Sequence, residues 1–183
     1  MNAITNVNEF LEGTDLAFRQ PTPADLPGVC LLAYENTWSF RWAYRDTIPP
    51  VERFQQTVWV GTICRYIIED RLSGRSLGIA VGWTDNALRD SLKIDIVLKN
   101  HSDVARYWLM AATMLASYIR GVLDVNKITL EIPGKLHRVV ESSMEQPLSI
   151  EGRIDDYFFL AGELDDLVIV HFNAEFGPDE GEH

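Results

Sequence analysis

The stretch Ser91–Val122 constrains this chain more than any other, because two different periodicities meet in it with no glycine between them. Leu92, Ile94, Ile96 and Leu98 alternate with Lys93, Asp95 and Lys99, the pattern of a strand with one face buried. From Val104 the apolar positions recur at three and four, through Tyr107, Trp108, Ala111, Leu115, Tyr118, Ile119 and Val122, as on a helix with a broad apolar face. Asn100-His101-Ser102-Asp103 joins the two, and Asn100 or Ser102 is expected to cap the helix. A strand that ends at a helix N-terminus offers unpaired N–H groups and a positive dipole end to an anion. Close approach by a pyrophosphate wants glycines, however, and this turn supplies Asp103, Val104, Arg106 and Trp108.

At 183 residues the chain suits one well-buried domain: a leader over 1–14, a single unit over 15–172 and an acidic disordered tail over 173–183. Its hydrophobic fraction of 46% is ordinary, and no run of about 18 apolar residues is present to span a bilayer. Residues 1–14 have neither the basic start nor the apolar core of a signal peptide, so the expected location is the cytoplasm. A net charge of -11 with scattered arginines argues against nucleic acid as a partner. Cys30 and Cys64 lack metal-site spacing and read as reduced core thiols, and no metal motif is visible.

Leu16–Gln20 reads as a short strand, after which Pro21–Asp25 opens a helix that turns Leu26, Val29, Leu32 and Ala33 inward. A second helix is expected from Pro49-Pro50 through Val51, Phe54, Val58 and Ile63. Arg65–Asp70 and Ser76–Thr84 form an expected hairpin, and Lys127–Ile132 a strand joined in parallel to Ser91–Lys99 through the main helix. A short helix over Lys135–Met144 and a closing hairpin of Arg153–Leu160 with Leu167–Phe172 complete the order.

That order, with LAFRQPTPADL at Leu16–Leu26, LSGRSLG at Leu72–Gly78 and EGRIDDY at Glu151–Tyr157, resembles the GCN5-related N-acetyltransferase (GNAT) superfamily, in its ribosomal-protein and small-molecule branch. The resemblance implies an α/β (α+β) fold: a mixed, mostly antiparallel central sheet flanked by about four helices, with one parallel strand pair around the main helix. It also implies that an acyl-CoA pantetheine arm lies between the strands of Lys93–Leu98 and Lys127–Ile132, held by backbone groups of Ile96, Val97 and Leu98. The family's pyrophosphate loop falls on Asp103–Trp108, with Val104, Ala105 and Arg106 nearest the phosphates. Here the loop is degenerate: Asp103 stands at the arginine position and Val104, Arg106 and Trp108 at the glycine positions. Asp103 satisfies the same dipole end that a pyrophosphate would use.

Acyl transfer to an amine needs a group to take the ammonium proton and one to protonate the leaving thiolate. The resemblance makes Asp95 the first candidate base and Glu69 the second; a strand carboxylate paired with Lys93 or Lys99 is the structural alternative for Asp95. The tyrosine that is commonly the family's acid is missing from the short helix over Lys135–Met144, where His137, Ser142 and Ser143 could stand in. His101 beside Ser102 and Asp103 is too close in sequence for a nucleophilic triad and reads as a capping segment. The loop bearing Trp38, Arg41, Trp42 and Tyr44 either lines an acceptor pocket or packs as a lid. Asp155, Asp156, Glu163, Asp165 and Asp166 could draw a cationic amine, or simply solvate a hairpin.

The resulting expectation is a divergent acyltransferase acting on an amine of a small molecule or peptide, with acetyl-CoA or another acyl-CoA bound in a non-standard way. The alternative is a noncatalytic or repurposed protein of the same fold, working through an exposed sheet edge or as a homodimer. Metals, membranes and nucleic acids have no part in either.

Overall fold

A computed structural model describes residues 11–36, 39, 49–84, 91–142, 148–160 and 162–172. Seven strands form one sheet in the order β1-β2-β3-β4-β5-β7-β6: β1 Leu16–Arg19, β2 Thr62–Asp70, β3 Ser76–Trp83, β4 Ser91–Leu98, β5 Lys127–Pro133, β6 Ser149–Leu160 and β7 Glu163–Phe172. Every neighbouring pair is antiparallel except β4 with β5. The helices are α1 Leu26–Glu35, α2 Val51–Thr57, α3 His101–Val122 and α4 Gly134–Glu141. Among the described residues no helix is long and apolar enough to cross a membrane.

The alternation seen in the sequence sorts the strands into two cores. Leu92, Ile94, Ile96 and Leu98 of β4, with Ile128, Leu130 and Ile132 of β5, pack with Val104, Trp108, Ala111, Leu115 and Ile119 of α3. Val97 of β4 turns the other way, to Val29, Leu32 and Ala33 of α1 and Phe54 of α2. Lys93 and Asp95 fall on the α1 and α2 face by the same alternation. Between β3 and β4 the approach is so close that a Cβ at Gly78 would lie 2.0 Å from the Val97 carbonyl oxygen, which only glycine tolerates.

The helix ends are where the sequence expectations need correction. α2 stops at Thr57, and Ile63 belongs to β2, because Gly61 takes a left-handed φ of 85° that ends the turn after Val58. α3 starts at His101, two residues before Asp103, with Asn100 at its N-cap; the Asn100 amide donates to the Asp103 carboxylate (2.9 Å) and makes no capping bond to the backbone. α4 ends at Glu141, short of Met144, which lies outside the described residues. Strand β2 begins at Thr62 and β6 at Ser149, both earlier than their apolar patterns indicate. The expected disordered tail also lies outside the described residues.

Candidate functional site

The β4–β5 pairing consists of Ser91↔Lys127, Leu92↔Ile128 and Lys93↔Thr129, after which β5 pairs with β7 alone and β4 with β3 alone. The Lys99 N–H bonds to Leu77 O of the β3 side (2.8 Å), so on an alternating strand the N–H groups of Asp95 and Val97 point to β3 as well. Those of Ile94, Ile96 and Leu98 therefore face the gap. Among the expected cofactor holders, Ile96 and Leu98 present backbone to the gap, and Val97 does not.

The gap opens into a cavity of about 290 Å³ that passes from Asn36 at the end of α1 to Leu136 and Val139 of α4. Ile96, Leu98, Val104, Trp108, Pro133 and Leu160 make its wall apolar, and Lys99, His101 and Lys135 stand along it as cationic or titratable groups. Trp108, 1% exposed, fills part of the floor and donates its indole N–H to the Ile96 carbonyl oxygen (3.1 Å). One of the gap-facing strand groups is thus already satisfied from within the fold.

At the N-terminus of α3, where the resemblance implies a pyrophosphate loop, Arg75 and Asp103 form an ion pair. Arg75, in the β2–β3 turn, donates from both Nη atoms to Asp103 (3.0 and 3.1 Å), which also accepts from Asn100. Arg75 first, and Asn100 after it, hold the Asp103 carboxyl below the usual carboxylate range against the opposing effect of burial. Beside it, Tyr107 donates to Asp70 (3.0 Å), whose carboxyl, bonded mainly by Ser73, is pulled down to about 2. Val104 is buried against the cavity, while Ala105 and Arg106 are exposed, the guanidinium of Arg106 lying 4.7 Å over the Tyr107 ring.

At the other end, where β4 and β5 part, polar side chains gather on the α1 and α2 face. Asp95 and Glu131 each lie two residues beyond the last paired couple, Lys93↔Thr129, on the two diverging strands. Asp95, 7% exposed, accepts from the Trp83 indole (2.7 Å), a donor that the alternation of β4 did not indicate. Lys93 pairs with Glu131 (2.8 Å) and stacks over the Trp83 ring at 5.1 Å. Asp95, Trp83, Lys93 and Glu131 thus form one contiguous polar cluster where the strands part.

The remaining expected site residues lie elsewhere. Glu69 is bound to Arg19 (2.6 Å) on β2, two strands from the gap, and Arg19 also holds Asp25 through two bonds. Among the expected stand-ins for the acid, His137 does not line the cavity: it is 2% exposed on the buried side of α4, both ring nitrogens lack a hydrogen-bond partner, and Nδ1 sits 3.6 Å from the Glu141 carboxylate. Trp38, Arg41, Trp42 and Tyr44 lie outside the described residues. Glu131 is the residue of this site that sequence reasoning passed over, while Lys99 and His101, read there as a strand partner and a capping residue, line the cavity. Glu131 was legible as the outward partner in the alternation Ile128, Leu130, Ile132, but its pairing with Lys93 depends on the parallel register. No group of three His, Cys, Asp or Glu among the described residues is placed to hold a metal ion.

No protein-family model matches the sequence, and no curated protein is significantly similar to it. Solved structures do match. The spermidine N-acetyltransferase SpeG of Vibrio cholerae in complex with CoA and spermine is 17% identical at a TM-score of 0.64, covering 87% of this chain and 96% of that one. A point mutant of the same enzyme superposes at 0.67 with 16% identity over 87% of this chain and 94% of that one. The enzyme's complex with manganese ions gives 0.66 at 15% identity, over 91% of this chain and 94% of that one. The fold is that of the GCN5-related N-acetyltransferases. At such identities the likeness is one of fold, and the GNAT architecture accounts for the splayed β4–β5 pair and its cavity.

Proposed function

We propose that this GNAT-fold chain transfers an acyl group from a thioester to an amine of a small molecule or peptide, with a pantetheine arm lying in the β4–β5 gap and no pyrophosphate seated at α3. The observation that carries this reading is the gap itself: Ile96 and Leu98 turn strand polar groups into an apolar cavity, with Asp95 and Glu131 where the strands part. The resemblance to N-acetyltransferases, and a similar structure that holds CoA and spermine, are in keeping with it.

The donor supplies a thioester carbonyl carbon, to which the amine nitrogen bonds as the carbon–sulfur bond breaks. The polar cluster at the splay point lies where an amine would meet the thioester, and Asp95, oriented by the Trp83 indole, is the group to receive its proton. As the amide forms the nitrogen sheds its second proton, which water relays to the leaving thiolate, no tyrosine of the described residues lining the cavity. Apolar walls at Ile96, Leu136 and Val139 exclude bulk water from the thioester.

The test is incubation of the purified protein with S-acetyl-pantetheine and a panel of polyamines and peptide amines, read by mass spectrometry. Acetylated amine that disappears in Asp95→Asn supports the reading; no transfer and no binding of S-acetyl-pantetheine at millimolar concentration sinks it. The Asp103–Arg75 pair and the Trp108 bond to Ile96 favour a second reading, a noncatalytic protein whose cavity holds a small apolar ligand. Binding of S-acetyl-pantetheine without any transfer would select that one.

A further inference from the structure

On the acyl-transfer reading above, an amine meets the thioester where β4 and β5 part, and one amine of the chain itself already stands there. The sequence holds four lysines, Lys93, Lys99, Lys127 and Lys135, and all four are among the described residues. Three of them have exposed partners: Lys99 donates to Ser76 Oγ (3.0 Å), Lys127 pairs with Glu151, and Lys135 pairs with Glu163 (2.6 Å). Lys93 differs. Its side chain is 25% exposed and that of its partner Glu131 15%, so this pair is largely withdrawn from solvent.

Its position is set by the ladder. Lys93 belongs to the last couple of β4 with β5, Lys93↔Thr129, and Glu131 lies two residues further along β5, about 7 Å on. The 2.8 Å contact between the two side chains therefore crosses from strand to strand just where the backbone rungs stop. Trp83, opposite Lys93 in the β3–β4 register, places its ring 5.1 Å beneath the ammonium and turns its indole N–H to Asp95. A carboxylate and an aromatic face are what an external primary amine would need at this point, and here the chain fills the place with its own.

We infer, resting on that reading, that Lys93 is an internal acyl acceptor: its Nζ takes the acyl group of a bound thioester, which makes Lys93 a site of self-modification. Glu131 receives one proton from the ammonium, the freed nitrogen bonds to the thioester carbonyl carbon, and the carbon–sulfur bond breaks. The nitrogen sheds a second proton as the amide forms, and water passes it to the departing thiolate. The products are an acyl-lysine and a free thiol. The modified side chain is neutral, so Glu131 loses the ammonium that it holds in the unmodified chain.

The test is peptide mapping by mass spectrometry after incubation of the purified protein with S-acetyl-pantetheine and no added amine. Lys93 is expected to gain acetyl at least about tenfold faster than Lys99, Lys127 or Lys135, at a rate that saturates with donor, and to lose this lead in urea. Glu131→Gln, which keeps a hydrogen-bond acceptor beside Lys93, should slow acetylation of Lys93 about tenfold or more and leave the other three lysines unchanged. Lys93→Arg, which keeps a cation beside Glu131, should remove the fast phase from the intact-mass time course. Similar rates at all four lysines, a lead by Lys99 or Lys135, or a Lys93 rate untouched by Glu131→Gln would each overturn the inference. Transfer to polyamines or peptide amines with Lys93 left unmodified would overturn it too, and leave acyl transfer standing. If S-acetyl-pantetheine neither binds nor reacts, the acyl-transfer reading falls and this inference with it.

Discussion

The two ends of the β4–β5 gap carry carboxylates that are held in different ways. At the α3 end Asp103 is locked by a two-pronged guanidinium and by Asn100, so its charge is spent inside the protein. At the splay point Asp95 accepts from the Trp83 indole, and its neighbour Glu131 shares a lysine with the Trp83 ring. A carboxylate matched by a two-pronged cation gives stability and repels further anions. A carboxylate oriented by a neutral indole donor is placed to take part in chemistry with whatever enters.

Replacing the residue that spans the gap floor should have the largest effect. Trp108→Ala is expected to cost about 3–5 kcal/mol of stability, because it removes a buried ring and strands the Ile96 carbonyl, as urea unfolding would register. Next, Asp95→Asn should keep the Trp83 bond and the fold while lowering acyl transfer about 10²-fold or more, seen in kcat. If transfer survives Asp95→Asn but not Glu131→Gln, the proton acceptor belongs to β5 and the contrast between the two ends is redrawn around that strand.

At the α3 end, Asp103→Asn should cost about 1 kcal/mol at neutral pH, a modest figure because Arg75 is half exposed. The pH dependence has a definite sign. Asp103 and Asp25 titrate below the ordinary range when folded, so their contribution is complete above about pH 4 and is lost as pH falls through their folded values. Urea midpoints at pH 7 and pH 3 should therefore differ less for Asp103→Asn than for the native chain. The smallest effect belongs to Glu69→Gln, which breaks a partly exposed pair with Arg19: about 0–1 kcal/mol, with no change in transfer, since β2 is remote from the gap.

Much of this contrast could be read from residue order. The alternation Leu92, Ile94, Ile96, Leu98 placed Asp95 and Lys93 on the opposite face, and the helical repeat from Val104 identified the side of α3 that meets the sheet. The place of Asp103 in the first turn of α3 was legible too. What the sequence withheld was long-range: Arg75 is 28 residues from Asp103, and Glu131 meets Lys93 only through a parallel pairing set by the length of α3. The burial of His137 on the sheet side of α4 was likewise not legible, since it depends on how that short helix packs.

The brevity of the β4–β5 ladder has a mechanical meaning as well. Four strands on one side and three on the other are joined by three couples and the helix that crosses between them, so the sheet is two plates with a narrow hinge. Anything threaded between the plates supplies the rungs the ladder lacks and ties them into one body. Occupancy should then slow amide exchange at Ile96 and Leu98 and, at a distance, along β5 and β7, turning a local ligand into a brace for the whole sheet.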